Sequence, residues 1–300
     1  MKEKVVTRLR VRQSRVKPPD PRRKLFFGLF VFPLLIVVGM AALLCSVVFL
    51  THEEETPETL ITAIKTGSPS KRWQKAFELS NELNRRPEMI REKGVLGEIL
   101  HIMSDADHYD AKTRSYMAMA ASRFKEPGVV QAVRARLKAE EPEVQISLMW
   151  ALGNLNAKDA APDLFPLLVH ENAEVRQYAA YVLGVLGDKF AVPKLKPLLE
   201  DPVADVSWNA ALALARLKDD SGWKVLVKML DRSSLGRNYS MSKDQIEKVM
   251  TNAIRGLAEI RRPDSLPLLE SLAQKDESLQ VRQAALEAIR QQKQETVNHA

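Results

Sequence analysis

The sequence predicts an all-α protein: one transmembrane helix followed by a solenoid of stacked helix pairs. Three observations predict it. Leu25–Leu50 is a run of 26 residues without a charge. Beyond that run, similar apolar segments recur 31 residues apart. Aromatic residues make up 6% of the chain while Ala and Leu are abundant, which favours helix over sheet.

The first element is a basic tail, residues 1–24, with ten Lys or Arg against two acids. The chain's net charge of +7 is concentrated there: the tail carries +8 and residues 51–300 carry −1. A near-neutral body gives no general attraction for a phosphate backbone, so no nucleic-acid partner is expected. Pro18, Pro19 and Pro21 oppose packed structure, and the tail is expected to be disordered.

The second element is the apolar run. As a helix it would span roughly 39 Å, against about 30 Å for a bilayer core. Pro33 is expected to kink it. A cleaved signal peptide has a shorter apolar stretch of about 7–15 residues, and Leu44 before Cys45 does not fit a lipoprotein signal. Basic residues precede the run and the acidic stretch Thr51–Glu58 follows it, so the expected orientation is N-terminus cytoplasmic, body outside. The expected location is the inner (plasma) membrane, single-pass, with the solenoid periplasmic or extracytoplasmic. The one cysteine, Cys45, lies in the run and allows no disulfide within the chain.

The third element is the repeat array, residues 51–300. Aligned copies start at Thr113, Val144, Val175 and Val206. A further copy starts at Val249, after an insertion of 12 residues, and another at Val281. A degenerate first copy starts at Arg72, giving seven in all. Within a copy, apolar or small residues stand at the start and four, seven or eight, and eleven positions on, one face of a helix. In the Val175 copy these are Val175, Ala179, Val182, Leu183 and Leu186. Small residues at Ala179, Ala210 and Ala253 admit a neighbouring helix. Another helix precedes each copy, as in Ala161–Leu168 and Val192–Leu199. Pro162 and Pro193 suit its first turn, whereas Pro166 and Pro197 each delete a backbone hydrogen bond and are expected to bend it. Gly187 is expected to stop the second helix. The insertion, Asp231–Ile246, is expected to be an exposed loop containing the triplet Asn238-Tyr239-Ser240, a glycosylation acceptor in a eukaryotic secretory setting.

The segments 173–188, AEVRQYAAYVLGVLGD, and 204–219, ADVSWNAALALARLKD, resemble the short HEAT repeats of phycobilisome-lyase-type proteins. Gln145 and Ser207 stand where that pattern has Arg. The resemblance covers about residues 57–292. It implies a right-handed α-α superhelix whose second helices line the concave side, and it leaves function open.

On those second helices the core face centres near about 20° on the helical wheel, and positions two and six residues after the start lie near about 200° and 240°. The pairs are Ser115/Met119, Ile146/Trp150, Gln177/Tyr181, Trp208/Leu212, Thr251/Arg255 and Gln283/Glu287. Apolar and aromatic side chains where the core needs none suggest an interface. Ile146, Trp150, Tyr181, Trp208, Leu212 and Arg255 are the candidate partner-binding residues. The alternative is that tight curvature buries this stripe between second helices.

Catalytic candidates are thin. The segment His101–Asp110 has two imidazoles and three carboxylates, but it lacks the Gly and the twelfth-position Glu of a calcium loop and reads as a solvated turn. Deoxyhypusine hydroxylases of the same repeat class carry His-Glu dyads early in the second helices; here that position is Gln177-Tyr178. His170-Glu171 and His52-Glu53 lie elsewhere. No phosphate loop or nucleophile elbow is present. The expectation is a membrane-anchored scaffold for a protein partner, serving as an accessory subunit of an envelope complex. It includes no cofactor, metal or small-molecule substrate, and contact with the lipid bilayer through residues 25–50. The alternative is an enzyme or enzyme maturation factor, lyase-like or metal-dependent, using the same groove. A self-associating envelope protein is a third reading.

Overall fold

A computed structural model describes residues 27–51, 56–88, 94–138, 140–260 and 262–298. The basic tail, residues 1–24, and the first two residues of the apolar run lie outside the described residues, as do residues 52–55 with the His52-Glu53 pair. The chain divides into two units, residues 1–55 and 56–300.

In the first unit a π-helical turn, Phe27–Val31, leads into helix α1, Phe32–Thr51. Pro33 is the second residue of α1. The helical path runs on from the π-helical turn through the proline, and that turn stands where an α-helical hydrogen bond would need the missing N–H. Large side chains such as Leu35, Val37 and Leu43 are exposed. Gly28–Val47 is long and apolar enough to cross a membrane, compatible with an anchor or a signal sequence.

The second unit is an all-α solenoid, and among the described residues it contains seven helix pairs. The first three pairs are α2 (Pro57–Thr66) with α3 (Pro69–Arg85), α4 (Val95–Ser104) with α5 (Ala111–Ala121), and α6 (Pro127–Arg136) with α7 (Pro142–Asn154). Next come α8 (Ala161–Leu164) with α9 (Ala173–Leu186), and α10 (Val192–Leu195) with α11 (Ala204–Arg216). In the sixth pair α12 (Trp223–Lys228) is separated from α14 (Lys243–Ile260) by α13 (Arg232–Asn238). The last pair is α15 (Ser265–Lys275) with α16 (Leu279–Asn298).

The prolines act as their chemistry requires. Helix α8 changes to a 3-10 helix over Phe165–Val169, and α10 does so over Lys196–Glu200. Each change falls at the residue before the proline, where an α-helical hydrogen bond would need the missing N–H. Gly187 ends α9 at φ +75°, in the left-handed region where a glycine carries no Cβ penalty. Asp110 caps α5, accepting the Thr113 N–H at 2.9 Å.

The second helices pack on one another in chain order, from α3 through α5, α7, α9, α11 and α14 to α16. Their inward residues form the core: Val175, Ala179, Val182, Leu183 and Leu186 are all buried, as are Ala210 and Ala253. In the Val175 copy two second helices approach closely at the small residue nine positions after the start. A Cβ placed on Gly184 would stand 2.7 Å from the Ala213 Cα, so α9 and α11 touch backbone to backbone. A Cβ placed on the equivalent Gly153 of α7 would meet the Val182 methyls at 3.5 Å, an ordinary contact.

Arginine clamps tie successive repeats. Arg176, second in its copy, donates to the Asp201 carboxylate of the following loop from Nε at 2.8 Å and from Nη2 at 3.1 Å. Its Nη1 donates to the His170 carbonyl at 2.7 Å. The guanidinium holds the Asp201 carboxyl below its ordinary range, and the carboxylate raises Arg176 in turn. Buried Arg114 repeats the arrangement with Glu140 and the Tyr109 carbonyl. In the fourth pair's predecessor, Gln145 replaces the arginine and reaches only the Leu137 carbonyl, at 3.1 Å.

The insertion differs from the expected exposed loop. It contains α13, whose Leu235 is buried, and Asp231 caps that helix by accepting the Ser234 N–H at 3.0 Å. An apolar residue placed to reach the core lets the segment fold back onto the array.

Candidate functional site

The outward face of the second helices carries a cavity of about 310 Å³. Its lining comes from three consecutive second helices: Trp150 of α7, Gln177, Tyr178 and Tyr181 of α9, and Asn209 of α11. Gly184 behind them sets the close spacing of α9 and α11. Trp150 is half-buried and Tyr181 is 38% exposed. Arg123 lies over the Trp150 ring, 5.8 Å from its centroid, and Arg216 over the Tyr181 ring at 5.2 Å. Each guanidinium is thereby held at the edge of the aromatic surface by the ring's negative face. Asn209 donates Nδ2 to the Asp205 carbonyl at 2.8 Å.

The candidate residues separate into four groups. Trp150 and Tyr181 lie together in the cavity. Ile146 and Leu212 are partly buried and packed against the core, so they support the face more than they present it. Arg255 is exposed. Trp208 departs from the expectation of an exposed anchor: it is 8% exposed. The insertion folds over it, and Tyr239 meets its ring edge-on at 5.2 Å and 68°. The stripe is thus covered at that point by the chain's own aromatic residue. Toward the other end, Phe77 meets Tyr116 at 5.3 Å and 62°.

Wheel positions three and ten residues after each start were not singled out from the sequence. They supply Tyr178 and Asn209 at the third, and Arg123 and Arg216 at the tenth. At about 100° per residue these lie near about 300° and 280°, beside the positions chosen, so a wider arc would have found them. A second cavity, of about 510 Å³, opens where α5 and α7 end. It is lined by residues including Arg123, Lys125, Glu126 and Asn154. Asn154 crosses between the two helices, donating to Ser122 Oγ at 3.0 Å.

The acidic turn after α4 is organised internally. His108 Nδ1 lies 2.9 Å from both Asp105 carboxylate oxygens, and this hydrogen bond lowers the Asp105 pKa from its ordinary value. Asp110 is occupied as the α5 cap, and Tyr109 turns inward beneath Arg72. Among the described residues no three His, Cys, Asp or Glu side chains form a group able to hold a metal ion. His170 accepts the Asn172 N–H on Nδ1 at 3.0 Å, a loop-building role.

A family model for HEAT repeats matches residues 99–172, 161–238 and 239–297. No curated protein matches the chain. Among solved structures, the complex of CpcE and CpcF of phycocyanin lyase from Nostoc sp. PCC7120 is similar, at 20% identity and TM-score 0.50. That match covers 80% of this chain and 96% of the other. An engineered protein matches at 20% identity and TM-score 0.47, over 79% of this chain and 68% of its own. Human deoxyhypusine hydroxylase matches at 16% identity and TM-score 0.34, over 79% and 84%. At these identities the likeness is one of fold.

Proposed function

The chain belongs to the HEAT-repeat family, and from that premise we propose that it is a membrane-anchored scaffold that holds a protein partner against its second-helix face. The cavity between α7, α9 and α11 carries the reading. Its lining is aromatic and amide, on a face that the stack itself does not need to bury. Half-exposed Trp and Tyr flanked by arginine is the composition of interface anchors. In HEAT-repeat arrays the second helices line the concave side, and we assign this face to that side. Segment Gly28–Val47 serves as the anchor, with the basic tail cytoplasmic and the solenoid outside the inner membrane. Tethering raises the solenoid's effective concentration toward other envelope proteins, as suits an accessory subunit of an envelope complex. We propose no catalytic role, since the cavity is lined without carboxylate, imidazole or thiol.

The test is site-specific photocross-linking in cells. A photoreactive residue at Gln177 or Tyr181 should trap one discrete partner, and the same residue at Lys194, on a first helix, should not. Trp150→Ala should abolish the adduct formed from Gln177. Equal labelling from both faces would refute the assignment.

A further inference from the structure

Arginine is used in two ways in this solenoid. Arg114, Arg134, Arg136, Arg176, Arg232 and Arg262 each pair with a carboxylate. Arg123, Arg216 and Arg255, which border or share the cavity face, have no carboxylate partner among the described residues. The buried Arg123 Nε has no acceptor at all. Of the acids on this side, Glu259 pairs with Lys218 and Glu287 accepts from Gln283 at 2.9 Å, while Glu126 lines the second cavity together with Arg123 and Lys125. The free acids of the face, Glu143, Glu174 and Asp205, sit in the first turns of α7, α9 and α11. Along the helices that row lies eleven residues, roughly 16 Å, from the level of Arg123 and Arg216, and seven residues, roughly 10 Å, from the level of Arg255. Both exceed the screening length of about 8 Å at physiological salt, so the acids do not neutralise the guanidiniums.

The molecule also shows what its aromatic stripe accepts. Tyr239 docks edge-on against Trp208, and Phe77 against Tyr116. Both contacts are aromatic, and both leave the stretch from Trp150 to Tyr181 uncovered. From these observations we infer that the face takes an extended, acidic polypeptide segment carrying an aromatic side chain. Its ring enters the cavity between Trp150 and Tyr181, and its carboxylates meet Arg123, Arg216 and Arg255. The inference rests on the binding-face reading above and names the partner's chemistry. Four helix spacings of about 8–10 Å separate α5 from α14, a span that about 10–12 extended residues cover. A single-stranded nucleic acid would satisfy aromatic rings and arginines too, but it carries a charge at every residue. Three guanidiniums beside a row of free carboxylates, on a body of net charge −1, match a few carboxylates better.

The experiment is selection of random peptides of about 12 residues, displayed on phage, against the full chain in detergent micelles. Binders are sorted by whether Trp150→Ala or Tyr181→Ala abolishes capture; using both guards against misfolding of one variant. Dependent peptides should be rich in Asp, Glu and aromatic residues. A synthetic representative should bind at least about tenfold more weakly to Arg216→Gln/Arg255→Gln, whose circular dichroism should match the wild type. Replacing all three arginines by Glu should redirect selection to Lys- and Arg-rich peptides. Neutral or basic dependent peptides would overturn the inferred chemistry while leaving the binding face in place. Tighter Trp150-dependent binding of a 12-nucleotide oligouridylate would overturn it in favour of nucleic acid. Peptides that bind well yet are indifferent to both cavity variants would refute the binding face itself.

Discussion

At the scale of single residues, two tryptophans at related positions have different jobs. Trp208 is covered by Tyr239 and belongs to the core of the last repeats, whereas Trp150 lines the open cavity. Trp208→Ala should therefore cost about 3 kcal/mol of stability, the range for removing a buried large aromatic side chain, read as a lower thermal midpoint. Trp150→Ala should cost less than half of that while removing partner capture. Equal melting losses would show that the two share one environment. Asp201 gives a prediction for acid. Its folded-state pKa is depressed by Arg176, so its contribution is present above the ordinary carboxylate pKa of 3.8 and is lost as pH falls below that value. Asp201→Asn should destabilise by about 2 kcal/mol at neutral pH and make the midpoint flatter below pH 3.8 than in the wild type. Melting curves between pH 2.5 and 7 would check both parts.

At the scale of helices, much was legible because the helical period and proline chemistry act locally. The core positions of the Val175 copy, the stop at Gly187 and the disturbance at Pro166 and Pro197 all follow from residues within one repeat. The cavity was legible in part: Trp150, Gln177 and Tyr181 fall on the outward arc of the wheel. What the pattern did not contain was tertiary. A wheel cannot show that a segment beginning 23 residues after Trp208 folds back to cover it. Helix spacing is a second tertiary property, and it yields a paired prediction. Gly153→Ala meets only ordinary contacts and should stabilise by up to about 1 kcal/mol through helix propensity. Gly184→Ala places a methyl 2.7 Å from the Ala213 backbone and should instead destabilise by about 1–3 kcal/mol. Thermal melts that moved in the same direction would contradict the close crossing of α9 and α11.

At the scale of the whole solenoid, stability is a chain of nearest-neighbour terms, so each interface must close for the array to melt as one. The interface between the last two pairs closes in an unusual way. Met250 occupies the place that Arg176 has in its own copy, and Asp276 the place of Asp201. Asp276 accepts the Ser278 N–H at 2.8 Å just as Asp201 accepts that of Val203 at 2.9 Å. Its guanidinium comes instead from Arg232, the first residue of α13, at 2.7 Å. The 12 extra residues are therefore a splint and cannot be trimmed away to restore a regular period. Excising them with Arg232 should let the final pair fray first, visible as early loss of amide-exchange protection in α16. Adding Met250→Arg to the shortened chain should restore it. Anyone lengthening or truncating this rod by whole modules would have to carry that borrowed cation along.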